Sequence, residues 1–177
     1  NTEAAAVNLA TVTNVENLVY IGTGGGSDVD LANFASVTNL NVSGAAGAMN
    51  VDGVSLTDTL TISGATATAD IAVTHAAVTG TADVATVTID GATAASDIAF
   101  DAAVETMTIV TANNASSIAD LDFDTGTTSL TIDAGVDLTV TNQITTTGVT
   151  ALTITGAGDV DLDADDLEAA TITVNAS

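Results

Sequence analysis

The sequence predicts an all-β protein, a right-handed parallel β-helix (β-solenoid) of about seven coils. Three observations indicate this fold: a short strand motif recurs along the chain, none of the 177 residues is Pro, and only 2% are aromatic while 46% are hydrophobic. Stacked parallel strands need every backbone N–H, so the absence of Pro suits them. A narrow aliphatic core needs few aromatic side chains. We expect 1–177 to be one solenoid domain, with 1–16 as an N-terminal cap or coil. We also expect the chain to be a piece of a longer solenoid.

The first strand of each coil has the pattern apolar–polar–apolar, which is typical of a half-buried strand whose middle residue points outward. Successive copies start about 18 to 27 residues apart, which is a solenoid period. The copies lie at 18–20, 40–42, 60–62, 87–89, 107–109, 130–132, 152–154 and 170–172. Glycines that suit corners follow five of them, at Gly22, Gly44, Gly64, Gly91 and Gly156.

A second strand with the same alternation follows each of the first seven copies. These strands lie at 29–31, 49–51, 71–73, 98–100, 121–123, 138–140 and 160–162. The irregular coil length favours a right-handed β-helix over a left-handed hexapeptide one. A β-sandwich also strings short strands together, but the repeat register argues against it.

The charge balance excludes several classes of function. The chain has 23 acidic residues, no Lys or Arg and a net charge of −23. Without cationic side chains it cannot neutralise phosphates, which excludes direct nucleic-acid binding. No apolar run is long enough for membrane insertion. No Cys is present, so disulfides and thiolate metal sites are excluded. Cations from solution must therefore offset the self-repulsion of the chain.

Aspartates account for 19 of the acidic residues, and the repeat places many of them at equivalent positions. When the second strands are aligned, an Asp precedes six of the seven strands and an Asp follows four of them. Equivalent positions stack about 4.8 Å apart, and each carboxylate pair then repels by roughly 0.9 kcal/mol even in water. Calcium takes six to eight oxygen ligands and can bridge coils, whereas magnesium prefers to keep its waters. The predicted Ca²⁺ ligands are Asp28, Asp30, Asp52, Asp70, Asp97, Asp101, Asp120, Asp122, Asp124, Asp137, Asp159, Asp161 and Asp163. The alternative is that these side chains cap turns and face water, with diffuse counterions around them.

Two segments and the overall composition resemble known families. Residues 24–31 (GGGSDVDL) resemble the glycine-rich calcium nonapeptide of RTX proteins, and residues 156–162 (GAGDVDL) resemble it less closely. The composition, rich in Thr, Ala, Val, Asp and Gly, is similar to that of the β-helical S-layer proteins that bacteria export by type I secretion. The resemblance implies a secreted structural protein on the bacterial cell surface. It also implies calcium-dependent self-assembly and attachment to cell-surface polysaccharide.

Three other functions are alternatives to a structural one. An enzyme is disfavoured, because the chain has one Tyr, no Trp to stack on sugars and no cationic group for lyase chemistry. An adhesin or autotransporter-type stalk would share the fold and differ in its partner. An ice-binding β-helix is suggested by outward threonines on the first strands. These are predicted at Thr61, Thr88, Thr108, Thr131, Thr153 and Thr171, with Thr59, Thr86 and Thr106 two residues before the first three.

Overall fold

The computed structural model describes residues 13–22, 28–66, 69–93, 96–101, 104–145, 147–162 and 173–176. Their strands form two parallel sheets that wind as a β-solenoid of about six turns. The predicted all-β parallel solenoid is therefore confirmed, with about six turns where about seven were expected. The right-handed sense of the winding and the division into a cap and a body stay predictions. The expected strand copy at 170–172 lies outside the described residues.

The chain alternates between the two sheets. Sheet A contains β1 (Asn17–Ile21), β3 (Asn39–Ser43), β5 (Thr59–Ser63), β7 (Val84–Asp90), β9 (Thr106–Thr111), β11 (Ser129–Ala134), β13 (Ala151–Gly156) and β15 (Thr173–Ala176). Sheet B contains β2 (Val29–Asp30), β4 (Met49–Ser55), β6 (Asp70–Ala76), β8 (Asp97–Asp101), β10 (Ser116–Phe123), β12 (Leu138–Thr145) and β14 (Val160–Leu162). One 3-10 turn, Leu31–Asn33, follows β2.

The core lies between the sheets and consists of stacked aliphatic columns. Val87, Ile109 and Ile132 are fully buried and pair in register on β7, β9 and β11, and their neighbours in the strands point outward. Phe100 and Phe123 pair across β8 and β10, and their rings stack with centroids 5.3 Å apart and planes 14° apart. Each turn thus places its apolar side chains on those of the next turn, as the period-2 pattern predicts.

The register between β7 and β9 differs from the predicted alignment by two residues. Val87 pairs with Ile109, and Ala85 pairs with Met107, whereas the motif alignment matched Val87 with Met107. A shift of two residues keeps every side chain on the same face of the sheet. The alternation alone therefore could not distinguish the two registers, and the long β7 strand has room for either.

Among the described residues, four buried hydroxyls connect successive turns. Ser96 donates to the Thr66 carbonyl at 2.6 Å, and Thr127 donates to the Val104 carbonyl at 2.9 Å. Thr111 donates to the Val136 carbonyl, and the Ser116 hydroxyl accepts the Ala92 N–H. A buried hydroxyl costs free energy unless it is hydrogen-bonded, so these four are held in place by partners one turn away.

The corner glycines fit their predicted role at four of five positions. Gly44, Gly64, Gly91 and Gly156 follow or end strands of sheet A with positive φ angles, +61° at Gly44 and +104° at Gly156. Glycine adopts this left-handed region without the steric cost of a Cβ. Gly22 has no positive φ, and a Cβ there would lie 3.3 Å from the Met49 sulfur. Its small size, rather than its backbone freedom, therefore suits the position.

Candidate cation-binding face

The two sheets differ sharply in charge. The described strands of sheet B contain eight aspartates, at positions 30, 52, 70, 97, 101, 120, 122 and 161, whereas those of sheet A contain two, Asp90 and Asp133. No Lys or Arg is present anywhere to compensate them. The outer face of sheet B is therefore the anionic face of the solenoid and the place to look for bound cations.

Three of the predicted ligands stack in consecutive turns. Asp70 pairs with Asp97, and Asp97 pairs with Asp120, on the neighbouring strands β6, β8 and β10. We call these three residues the carboxylate ladder. Neighbouring strands lie about 4.8 Å apart, so the ladder places like charges one above another. This part of the predicted column is confirmed as an arrangement, and binding of a metal to it stays a prediction.

The middle carboxyl of the ladder has a raised pKa. Burial raises the pKa of Asp97 from 3.8 to about 6, and a hydrogen bond to Asp120 and repulsion by Asp120, Asp70 and Asp122 add to the effect. Each of these influences disfavours the ionised form. Near neutral pH the ladder therefore carries its full charge only at a cost in free energy, which either a proton or a cation can relieve.

Asp30 and Asp52 form a second stacked pair. They pair directly across β2 and β4. The Asp52 carboxylate also accepts the Thr74 hydroxyl at 3.2 Å, and Thr74 in turn pairs with Asp101. Asp30 accepts the Ala32 N–H at 2.9 Å and so also caps the 3-10 turn. Thr74 therefore separates Asp52 from Asp101 in this column, as the sequence alignment predicted.

The predicted place of Asp28 in the column with Asp70 is wrong. Val29 pairs with Val51, not with Met49, so Asp28 lies level with Asn50. Asn50 donates to the Asp28 carboxylate from its backbone N–H at 2.9 Å and from its side-chain amide at 3.0 Å. The cause is again a two-residue shift that leaves the buried face unchanged.

The predicted stacking of Asp137 on Asp120 is also wrong. β10 begins at Ser116, five residues before its motif at 121–123, and Ser116 pairs with Leu138, so Asp120 pairs with Gln143. Asp137 does lie next to Asp159 of the following turn, as predicted, and the Asp159 N–H donates to the Asp137 carboxylate at 2.9 Å. A bulge between Ile118 and Asp120 adds one further residue of β12 to the shift, and nothing in the apolar pattern marks it.

The remaining predicted ligands have separate surroundings. The Asp122 carboxylate accepts the Thr145 hydroxyl at 2.6 Å, and Asp124 accepts the Gly126 N–H at 2.8 Å and caps a turn. Asp161 pairs with Thr139. Asp163 lies outside the described residues. Turn capping was the alternative weighed for these aspartates, and Asp124 follows it.

A shallow groove of about 300 Å³ lies beside two members of the ladder, Asp70 and Asp97, and Asp28, Ala72 and Ala99 also line it. The small alanine side chains leave room there for hydrated ions.

The carboxylate oxygens of the ladder are of the type that binds calcium, but few of them lie close together. Among the described residues, no three His, Asp or Glu side chains converge into a ready metal centre. Two stacked carboxylates from neighbouring turns are therefore the most that an ion would meet at once. Carboxylate oxygens are the ligands that calcium prefers, and water would fill the other positions.

The sequence pattern does not predict a further carboxylate site, at Asp90. Asp90 accepts the side-chain amides of Asn113 and Asn114 from the next turn, at 2.9 and 2.8 Å. These hydrogen bonds lower the pKa of Asp90. The Asn-Asn pair directly after β9 was the signal, because it follows the strand that pairs with β7.

Comparison with known proteins adds no relative: the chain matches no protein-family model, no curated protein and no solved structure. In the part of the chain that the structure describes, no helix is long and apolar enough to span a membrane.

Proposed function

We propose that this chain is a structural, self-assembling module of an extracellular surface protein, an S-layer or filament, which calcium stabilises and cross-links. The observation that carries the proposal is the carboxylate ladder, three like charges in consecutive turns of a chain without any cationic side chain. The continuous two-sheet solenoid supports it, because such a body presents long regular faces that can repeat in an assembly.

In this proposal the ladder residues contribute by where the fold places their carboxylates and carry out no reaction. Asp70, Asp97 and Asp120 hold oxygen ligands on successive strands, and a divalent ion between neighbouring carboxylates would replace repulsion by attraction. Because two carboxylates at most meet one ion, we expect weak binding, with a Kd of about 10⁻⁴ to 10⁻³ M, as in extracellular calcium modules. Ligand positions left to water could also be filled by a second molecule.

The proposal is tested by assembly as a function of calcium. The purified chain is dialysed into EDTA or millimolar calcium at pH 8, followed by light scattering and negative-stain electron microscopy. We expect ordered arrays or filaments with calcium, dispersal in EDTA, and a weaker effect of magnesium at equal concentration. An adhesin-type stalk would stay monomeric with calcium until it met its receptor. A monomer under all these conditions would refute the assembly role.

A second candidate, ice binding, is favoured by one observation. Thr86, Thr108, Thr131 and Thr153 pair in four consecutive strands of sheet A and form a threonine ladder. The sequence predicted Thr61 and Thr88 in the same column as Thr108, but they lie in the neighbouring column, which continues to Val110. A thermal-hysteresis measurement separates the candidates, because a structural module shows no hysteresis.

A further inference from the structure

The outer face of sheet A contrasts with the acidic face of sheet B. Its outward positions carry mostly Thr, Asn and Ser, including the threonine ladder and the paired Asn39 and Thr59. We call the outward side chains of sheet A the threonine face. Threonine combines a methyl group with a hydroxyl, so this face can pack and hydrogen-bond at once.

The exposed large hydrophobic side chains lie on the same face. In the described part of the chain these are Val19 at 62%, Ile21 at 64% and Val84 at 53% exposure, on β1 and β7 of sheet A. Single exposed hydrophobic residues are ordinary. Here, however, all three share one face, and no counterpart of this size occurs on sheet B in the described residues.

Charge is almost absent from the threonine face. Its described strands carry only Asp90 and Asp133. Asp90 lies at the end of β7, where Asn113 and Asn114 donate to it. In a chain of net charge −23, most surfaces repel another copy, so a nearly uncharged face is where two copies can approach most closely.

The size of the face is sufficient for a stable contact. Eight strands about 4.8 Å apart, each presenting about five residues of about 3.3 Å, give roughly 550 Å² per copy. Two copies face to face would bury roughly 1,100 Å², just above the ~1,000 Å² expected of a specific interface. Two flat sheets can pack in this way at about 10 Å, with their side chains interdigitating.

We propose that the threonine face is the surface through which a second copy of this chain docks, sheet A against sheet A. This inference rests on the proposed self-assembly and names the contact. A two-fold arrangement that reverses the strand order places β11 of one copy over β5 of the other. Asp133 then faces the hydroxyls of Thr59 and Thr61 instead of another Asp133, which keeps the like charges apart.

The test measures self-association of wild type and charge variants by sedimentation equilibrium in calcium at pH 8. Thr131→Glu puts a charge in the threonine ladder, between the uncharged Thr108 and Thr153. Ser117→Glu is the matched control, because it adds the same charge on the outer face of sheet B, beside the uncharged Thr139. Circular dichroism verifies that each variant folds.

We expect Thr131→Glu to weaken association by about tenfold or more, since like charges in an interface are costly, and Ser117→Glu to leave it within about twofold. Asp133→Thr, which removes a charge from the face, should strengthen association. Equal association of wild type and Thr131→Glu overturns the inference but leaves calcium-dependent assembly standing through another surface. A wild type that stays monomeric refutes both, and ice-growth inhibition by that monomer assigns the face to ice instead.

Discussion

Replacing Asp97 by Asn removes the middle charge of the carboxylate ladder while keeping the size of the side chain. Asp97 has a stacked carboxylate on each side, Asp70 and Asp120. The amide cannot ionise, and it can still donate a hydrogen bond to Asp120. In the absence of divalent ions we therefore expect the variant to be more stable than wild type at pH 8.

The magnitude follows from the raised pKa of Asp97 and, for comparison, from the Coulomb repulsion that contributes to it. The rise in the pKa of Asp97 from 3.8 to about 6 corresponds in full to about 3 kcal/mol. Because the side chain is partly exposed, solvent screening reduces this figure to about 1 kcal/mol. Coulomb repulsion from two neighbours at about 4.8 Å gives roughly 0.9 kcal/mol each in water. We expect a gain of about 1 to 2 kcal/mol, or several degrees in Tm.

The pH dependence has a definite sign. Below pH 3.8 Asp97 is protonated in both states, and between about 4 and 6 the folded state keeps a proton that the unfolded state has lost. The contribution of Asp97 to stability is therefore lost as pH rises through about 6. Wild type in EDTA should lose stability across this window, and Asp97→Asn should lose less.

The assay is thermal unfolding followed by circular dichroism in EDTA and in calcium, at pH 5 and pH 8. Asp133→Asn is the matched control, because its stacked neighbours, Val110 and Thr155, are uncharged. We expect no gain from it. In calcium the advantage of Asp97→Asn should shrink or reverse, because the ion needs the carboxylate. A variant that is less stable than wild type in EDTA at pH 8 would refute the reasoning.

Three further predictions concern the core and the corners. Ile109→Ala deletes a fully buried side chain from a continuous column and should cost about 2–5 kcal/mol in urea unfolding; a loss below 1 kcal/mol would contradict the packing. Gly156→Ala should destabilise the protein more than Gly44→Ala in thermal melts. Both glycines have a left-handed φ, but a Cβ at Gly156 would also clash with backbone atoms, whereas one at Gly44 would lie in open space. Equal losses would count against this corner geometry. Asn114→Ala should cost about 1 kcal/mol at pH 7, because the Asp90 carboxylate loses a donor. The cost should shrink as pH falls from 3.8 through the lowered pKa of Asp90, where the carboxyl gains its proton in the folded state too. A loss that does not vary with pH would exclude the hydrogen bond as its cause.

The fold was predictable because two sequence signals agree with each other. Alternation of apolar residues predicted which side chains are buried, and Leu40, Leu60 and Leu130 are all buried as expected. The recurrence of this motif about every 22 residues implied parallel stacking instead of hairpins. Neither signal depends on the details of the turns.

The candidate site was only partly predictable, because stacking of carboxylates depends on register and not on the buried pattern. Asp70, Asp97 and Asp120 were aligned correctly, since the apolar motifs that follow them, at 71–73, 98–100 and 121–123, pair in the predicted register. Asp28 was misplaced by a two-residue shift, which leaves the buried face unchanged. Asp137 was misplaced because β12 pairs with the early part of β10, Ser116–Ile118, which lies before the apolar motif at 121–123. The partners of Asp90 come from a corner, where no strand pattern exists.

The most direct test of the cation account is the unfolding midpoint of wild type at pH 8 across a calcium titration, with NaCl at matched ionic strength as the reference. The account predicts that the midpoint rises with calcium through about the millimolar range, well beyond the rise in NaCl. The rise should diminish in a variant with Asp70, Asp97 and Asp120 all changed to Asn. A midpoint that responds equally to calcium and to NaCl would contradict it, because the ladder would then need no more than diffuse counterions.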